Sequence, residues 1–317
     1  MTGYLLRRVA QALVVVIGVT VLTFIIVHLV PGSAARAAMG VRATPVRIAE
    51  FNAAYGLDKP IYQQFFDYIG QIARGNLGTS FTTQEPVAWE IGQRLPGDIV
   101  FVGFSVLLAL AIAVPMGIWQ AVRRNRVGDH LLNGVSFTLY AMPDFFFAFL
   151  LVALFCVQLH VFPPEAPRAT SVTGLLADPR ALVLPVATLT ATILAGFSRY
   201  MRASAIDVLA EDYLRVVRAK GLPERLVLVR HVVRNAFLPV VTMVGLTIPT
   251  IVAGAVIAET VFNFQGMGLL LYSASTSHDY PVLLGVTLIV GIATVAGNLA
   301  ADIAYSILDP RIRHGNA

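Results

Sequence analysis

The stretch from Val9 to Val30 runs for twenty-two residues without an aspartate, glutamate, lysine or arginine. As an α-helix it would be about 33 Å long at ~1.5 Å per residue, enough to cross the ~30 Å hydrocarbon core of a bilayer. No water reaches that core, so a spanning segment must satisfy its own backbone N–H and C=O groups. Five more apolar runs follow, at about Ile99–Val122, Leu131–Val161, Leu182–Tyr200, Phe237–Val261 and Val282–Leu308. The third is long for one crossing and is expected to tilt or to end outside the bilayer. The first is too long for a signal-peptide core, and no small-residue cleavage site follows it cleanly, so it reads as a retained span. Pro115, Pro143, Pro185 and Pro249 lie in or near spans, where neighbouring helices can tolerate them.

Composition agrees. Of 317 residues 57% are hydrophobic and 13% charged, with a mean hydropathy of +0.74; a soluble domain carries about 25% charge. The single cysteine, Cys156, sits in an apolar run, which excludes a disulfide framework and a cysteine zinc cluster. The net charge of +5 is modest, and its placement points to membrane topology rather than to nucleic acid.

With the N-terminus inside, 15 of the 23 lysines and arginines fall on inside segments and 8 on outside ones. Six acids fall inside, nine outside and three within spans, so the inside carries +9 and the outside −1. This obeys the positive-inside rule. The fold class expected is an all-α integral membrane protein with six transmembrane helices. It has an extracytoplasmic insert after the first and a cytoplasmic hairpin between the fourth and fifth. The divisions are an N-terminal helix (1–30), an extracytoplasmic segment (31–98), a membrane core (99–308) containing a loop at 205–235, and a cytoplasmic tail (309–317). The insert has helical patterning around Ile61–Ile72, with turn signals at Tyr55–Pro60 and Gly75–Ser80.

The chain lacks a G-x-x-x-x-G-K-[ST] phosphate loop and an H-E-x-x-H pair, and its six histidines are scattered. No nucleophile–base set presents itself. No catalytic residue and no metal site is therefore assigned, and the chain is not expected to be an enzyme.

Between the fourth and fifth spans, residues 213–239 carry Arg215, Arg218, Lys220, Arg225, Arg230 and Arg234 against one acid, Glu224. By charge alone this is an ordinary inside loop. Its pattern says more. Tyr213, Val216 and Val217 form an apolar edge, and Arg215, Arg218 and Lys220 a basic one. Gly221 can end the first helix with positive φ, and Pro223 suits the first turn of the next. Leu226, Val229, Val233 and Phe237 are expected to continue an apolar stripe into the fifth span. A short helix, a sharp turn and a helix entering the membrane make a lever.

This stretch resembles the cytoplasmic signature loop of binding-protein-dependent ABC importer permeases. The match is to the dipeptide/oligopeptide branch, in Tyr213, Arg218–Ala219–Lys220–Gly221, His231, Asn235 and Pro239. Further matches run along nearly the whole chain. They include Gly56–Leu57–Asp58–Lys59–Pro60, Arg94–Leu95–Pro96, Glu259–Thr260–Val261–Phe262, Asp279–Tyr280–Pro281 and Asp309–Pro310–Arg311–Ile312–Arg313. Their order is that of the first of the two permeases in such systems. The chain departs from the pattern at Val216 and Val217, at Ser33 and Asn76, and at Asp98 and Asp144, where acids replace small hydroxyl residues.

The resemblance implies half of a translocation pathway for peptides or a related small solute, in a bacterial plasma (inner) membrane, with both termini cytoplasmic. Its partners would be a homologous second permease, two cytoplasmic ATPase subunits using ATP and Mg, and an extracytoplasmic substrate-binding protein. No cofactor would sit in this chain. ATPase coupling would fall to Tyr213, Val217, Arg218, Ala219, Lys220, Gly221 and Leu222. Translocation-path candidates are Tyr140, Asp144, Phe145 and Glu259, because intramembrane acids usually face a bundle interior or water. The aromatic ones, within Tyr140–Phe149, read first as packing or lipid-facing rings and only second as a cavity wall. Asp279 and Tyr280 are candidates for docking the binding protein. Relatives of this type carry dipeptides, oligopeptides, nickel chelates, glutathione or haem. The alternative is an ion-coupled secondary transporter using Asp144 or Glu259.

Overall fold

A computed structural model describes residues 2–308, with side chains for 10–304. The expected tail at 309–317, and with it the Asp309–Arg313 match, lies outside the described residues. The chain begins with α1 (Thr2–Leu29), and the insert holds α2 (Ala34–Met39), α3 (Pro45–Tyr55) and α4 (Ile61–Ala73). Then come α5 (Val87–Val122), α6 (Val127–Ala141), α7 (Asp144–Leu151), α8 (Val172–Ala177) and α9 (Pro179–Ala210). The basic hairpin comprises α10 (Asp212–Ala219), α11 (Glu224–Val227) and α12 (Arg234–Ala236), followed by α13 (Leu238–Ala253). The chain ends with α14 (Val256–Phe262), α15 (Met267–Thr276) and α16 (Tyr280–Leu308). No strand occurs among the described residues.

Local chemistry sets the helix ends. Thr44 accepts the Arg47 N–H at 3.4 Å and Pro45 opens α3, which Gly56 closes in the left-handed region at φ 67°. Asp178 accepts the Ala181 N–H at 3.4 Å and Pro179 opens α9. Met142, the residue before Pro143, is driven to ψ 131°, which breaks the third pass.

Four helices are long and apolar enough to cross a membrane unbroken, at Ala10–Leu29, Val87–Val122, Pro179–Ala210 and Tyr280–Ala304. Two further pairs are bent, Val127–Ala141 with Asp144–Gln158 by 107° and Glu224–Ala236 with Leu238–Ala253 by 47°. With each pair as one pass, the six spans read from the sequence are present. Their bounds differ from the hydropathy limits. α5 starts at Val87, inside the segment read as extracytoplasmic, and α9 runs on to Ala210. The fifth pass stops at Ala253, because Gly254 takes φ 77° and turns the chain into α14.

The bundle has two ends. Thr190 donates to the Ser105 carbonyl at 3.4 Å, and a Cβ on Gly117 would strike Met201 and Arg202, so α5 and α9 run parallel in close contact. α16 runs antiparallel to α13, with Gly245 under Ala301 and Gly297 against Ile248, and antiparallel to α1, with Gly291 against Val19. Small residues at these crossings bring the backbones together, the usual way helices associate in lipid. The insert, α8 and α14–α15 lie at one end, and the turn at 123–126 and the hairpin at the other. The core centres on Phe101, Leu184, Phe197, Phe262 and Phe264 toward the insert end, with a second cluster around Met201, Leu214, Val227 and Val232 under the hairpin.

Candidate functional site

The hairpin is built on the ends of α5 and α9. Leu214 of α10 is buried and Val217 and Leu222 are half-buried, packing with Ala121, Met201, Ala205, Val227, Val232 and Ala236. The apolar stripe thus differs from the one read by simple periodicity. Leu214 rather than Tyr213 and Val216 faces inward, and Val227 and Val232 replace Leu226 and Val229. In the second helix a π-helical stretch at Leu228–Val233 widens the turn, which puts Val227 and Val232, five positions apart, on one buried face.

Gly221 turns the chain at φ 77° with open space around it, so its need for glycine is one of backbone conformation. Two side-chain braces hold the turn. Glu224 takes Arg218 bidentately, at 2.8 Å from Nη2 and 3.2 Å from Nε, and this carboxylate holds the guanidinium pKa above its ordinary value. Asn235 Nδ2 donates to Tyr213 Oη at 2.6 Å, and that hydroxyl reaches the His231 carbonyl at 3.5 Å. Among the residues expected to couple, Tyr213 and Arg218 are therefore engaged within the hairpin, and Val217 and Leu222 lean on its floor. The outer face presents Arg215, Val216 (56% exposed), Ala219 and Lys220.

Beside the hairpin, Arg202 of α9 grips Asp129 of α6 with two bonds of 2.7 Å, and Asp129 also accepts the Asn125 N–H at 3.0 Å. Sequence reading did not single out this pair, whose members lie 73 positions apart. The available signal was an acid in the first turn of a helix, where the N-terminal dipole favours it.

At the bend of the third pass, Thr192 of α9 donates to Asp144 Oδ1 at 3.1 Å, and Ser136 and Ser198 approach at 3.4 Å. Tyr140 and Phe145 are exposed on either side of the break. The Arg199 guanidinium lies 4.9 Å above the Tyr140 ring, a cation–π contact that the sequence did not suggest. Tyr140 and Asp144 thus both meet α9, and Phe145 follows Asp144 directly in the chain. The fourth path candidate, Glu259, is fully enclosed at the insert end, where it accepts the backbone N–H groups of Ala255 at 2.5 Å and Leu269 at 2.8 Å.

Asp279 is also enclosed. It ties the insert to α16 by accepting from Ser80 Oγ at 2.6 Å and from the Phe81 and Thr82 N–H groups at 3.1 Å. Tyr280 is half-buried, with His28 and Phe81 rings 5.4 and 6.0 Å from its own. It floors a cavity of about 770 Å³ between α1, α4 and α16, walled by Phe24, His28, Gln64, Tyr68 and Phe81. Burial pushes the Tyr68 hydroxyl above the usual phenol range, and in the loop opposite Asp67 raises the Lys59 ammonium pKa from 2.7 Å.

Six passes, an insert at one end and a braced basic hairpin at the other define a helical, multi-pass membrane protein. Residues 113–314 match the family described as binding-protein-dependent transport system inner membrane component, and residues 1–102 match its N-terminal companion. The chain belongs to this family. It is 35% identical over 316 residues to the oligopeptide transport system permease protein AppB of Bacillus subtilis (strain 168), covering 99% of this chain and 100% of the relative. It is 35% identical over 337 residues to the dipeptide transport system permease protein DppB of Escherichia coli (strain K12), covering 99% of each. It is 35% identical over 314 residues to the glutathione transport system permease protein GsiC of Escherichia coli O6:H1, covering 99% of this chain and 100% of the relative. These relatives are named as permease proteins of transport systems, and they give no support to the ion-coupled alternative.

Proposed function

We propose that this chain forms half of the translocation pathway of an ATP-driven importer for short peptides or a related small solute such as glutathione. The names of its relatives support that substrate range. In this reading the hairpin end faces the bacterial cytoplasm and both termini lie there, which the excess of lysine and arginine at that end supports. A homologous second permease completes the pathway. Two ATPase subunits bind ATP and Mg and close on one another, and a binding protein delivers solute at the insert end. This chain performs no covalent chemistry.

The observation that carries the reading is the hairpin itself. It is a short helix fixed to its turn by Arg218–Glu224, to the following helix by Tyr213–Asn235, and to the bundle by Leu214, with Val216, Ala219 and Lys220 turned outward. A push on that face reaches α13 through a braced element rather than a loose loop. Solute passes along the α6–α9 rim at Tyr140, Asp144 and Phe145.

The test is uptake of labelled dipeptide and glutathione into vesicles holding the four-subunit assembly and binding protein. Gly221→Pro, incompatible with φ 77°, is expected to cut ATP-dependent uptake at least tenfold without loss of the chain from the membrane. Uptake that persists with Gly221→Pro, or that runs on a membrane potential without ATP, defeats the proposal.

A further inference from the structure

The carboxyl groups of Asp98 on α5 and Glu259 on α14 are both 0% exposed, and they converge at the entry to α15. Glu259 accepts the N–H groups of Ala255, Gly268 and Leu269, and Asp98 Oδ2 accepts that of Met267. Asp98 Oδ1 has no partner among the described residues. It points at Glu259: Asp98 Oδ1 and Glu259 Oε2 both crowd the point where a Cβ on Gly266 would lie, and the two carboxyls are within hydrogen-bonding reach.

An ionised carboxylate only accepts hydrogen bonds. Two such oxygens within hydrogen-bonding reach of one another meet as lone pair against lone pair and charge against charge, and carboxylates so close cannot both ionise. Arg94, one turn from Asp98 on α5, is taken by Glu90 at 2.8 Å, and no basic side chain is among the groups acting on either carboxyl. The remaining groups aimed at the pair are four backbone N–H dipoles, which favour one negative charge and repel a metal cation.

We propose that Asp98 and Glu259 form a proton-binding site. One proton sits on Asp98 Oδ1 and is donated to Glu259 Oε2, closing a carboxylic acid–carboxylate hydrogen bond that fastens the α14–α15 hairpin to α5. The single remaining charge rests on the four N–H donors. Phe264, whose ring lies 4.9 Å from that of Phe101, packs on the same contact. When the proton leaves to solvent, the two carboxylates repel and the hairpin is driven off α5. The site is independent of what the importer carries.

The test uses the purified permease pair, read by infrared spectroscopy and thermal unfolding, neither of which depends on transport. Wild type is expected to show the carbonyl stretch of a buried protonated carboxylic acid, shifted in D2O and absent in Asp98→Asn. The introduced amide donates to Glu259 in place of the proton. Asp98→Asn should therefore melt like wild type at neutral pH and keep that stability at alkaline pH, where wild type loses it. Should Asp98→Asn fail to fold, the wild-type band must still fade with rising pH in step with the melting point. A wild type without the band, a band unchanged in Asp98→Asn, or a band whose titration leaves the melting point unmoved overturns the proposal.

Discussion

Asp129 shows how a single residue can hold two passes together. It is almost fully enclosed and receives both ends of the Arg202 fork. Removing one partner of such a pair leaves a buried group uncompensated, so Asp129→Ala is expected to destabilise the chain by about 3 kcal/mol. Thermal unfolding in detergent measures this; a shift no larger than that of an exposed Lys59→Ala control would contradict it. Tyr213 makes a smaller contribution. Tyr213→Phe removes the hydroxyl that receives Asn235, a bond worth about 1 kcal/mol. The expected outcome is a fall in ATP-driven uptake with unchanged co-purification of the ATPase subunits. Loss of co-purification instead would make Tyr213 a contact to the partner rather than a brace. Asp129–Arg202 was illegible because no local pattern links residues in different spans. Gly221 was legible, because a glycine and a proline two positions apart between helical runs admit few backbone paths.

At the scale of elements, the hairpin and the fifth pass depart most from simple periodicity. A 3.6-residue period through 224–237 places Leu226 and Val229 on the buried stripe, yet Val229 is 61% exposed. One π-helical stretch at Leu228–Val233 is enough to rotate the face. Nothing in the composition of LVRHVV announces that; the packing of Val227 and Val232 on Met201 and Ala205 selects it. The α13–α16 contact gives a prediction here. Gly245 lies against Ala301, so Gly245→Val must force the helices apart or shift Ala301. The expected destabilisation is about 1–3 kcal/mol, the usual range for overpacking, measurable by thermal unfolding. Gly18→Val, on an open face of α1, should leave stability unchanged.

For the whole molecule, the consequence is mechanical. The hairpin is braced within itself, and its floor is shared with α5, α9 and the approach to α13. It should therefore move as one piece. With Cys156 replaced, spin labels at Val216→Cys and Val229→Cys are expected to keep their separation when ATP binds the assembly. Either label paired with one at Gln84→Cys, at the insert end, should change distance. A change confined to the Val216–Val229 pair would mean that the hairpin bends instead of transmitting.

The sequence by itself determined the membrane class, the six apolar passes and the position of the hairpin. Each follows from a one-dimensional quantity: the length of an uncharged apolar run, the overall share of charged residues, and a glycine–proline break. The tertiary structure alone decided which side chains meet. It engaged Tyr213 and Arg218 inside the hairpin, enclosed Glu259, a path candidate, and Asp279, a docking candidate, and set Asp98 against Glu259 across 161 positions. Those outcomes depend on how helices rotate and cross, and rotation is fixed by small residues, bends and register shifts whose effect appears only when a second helix is packed against the first.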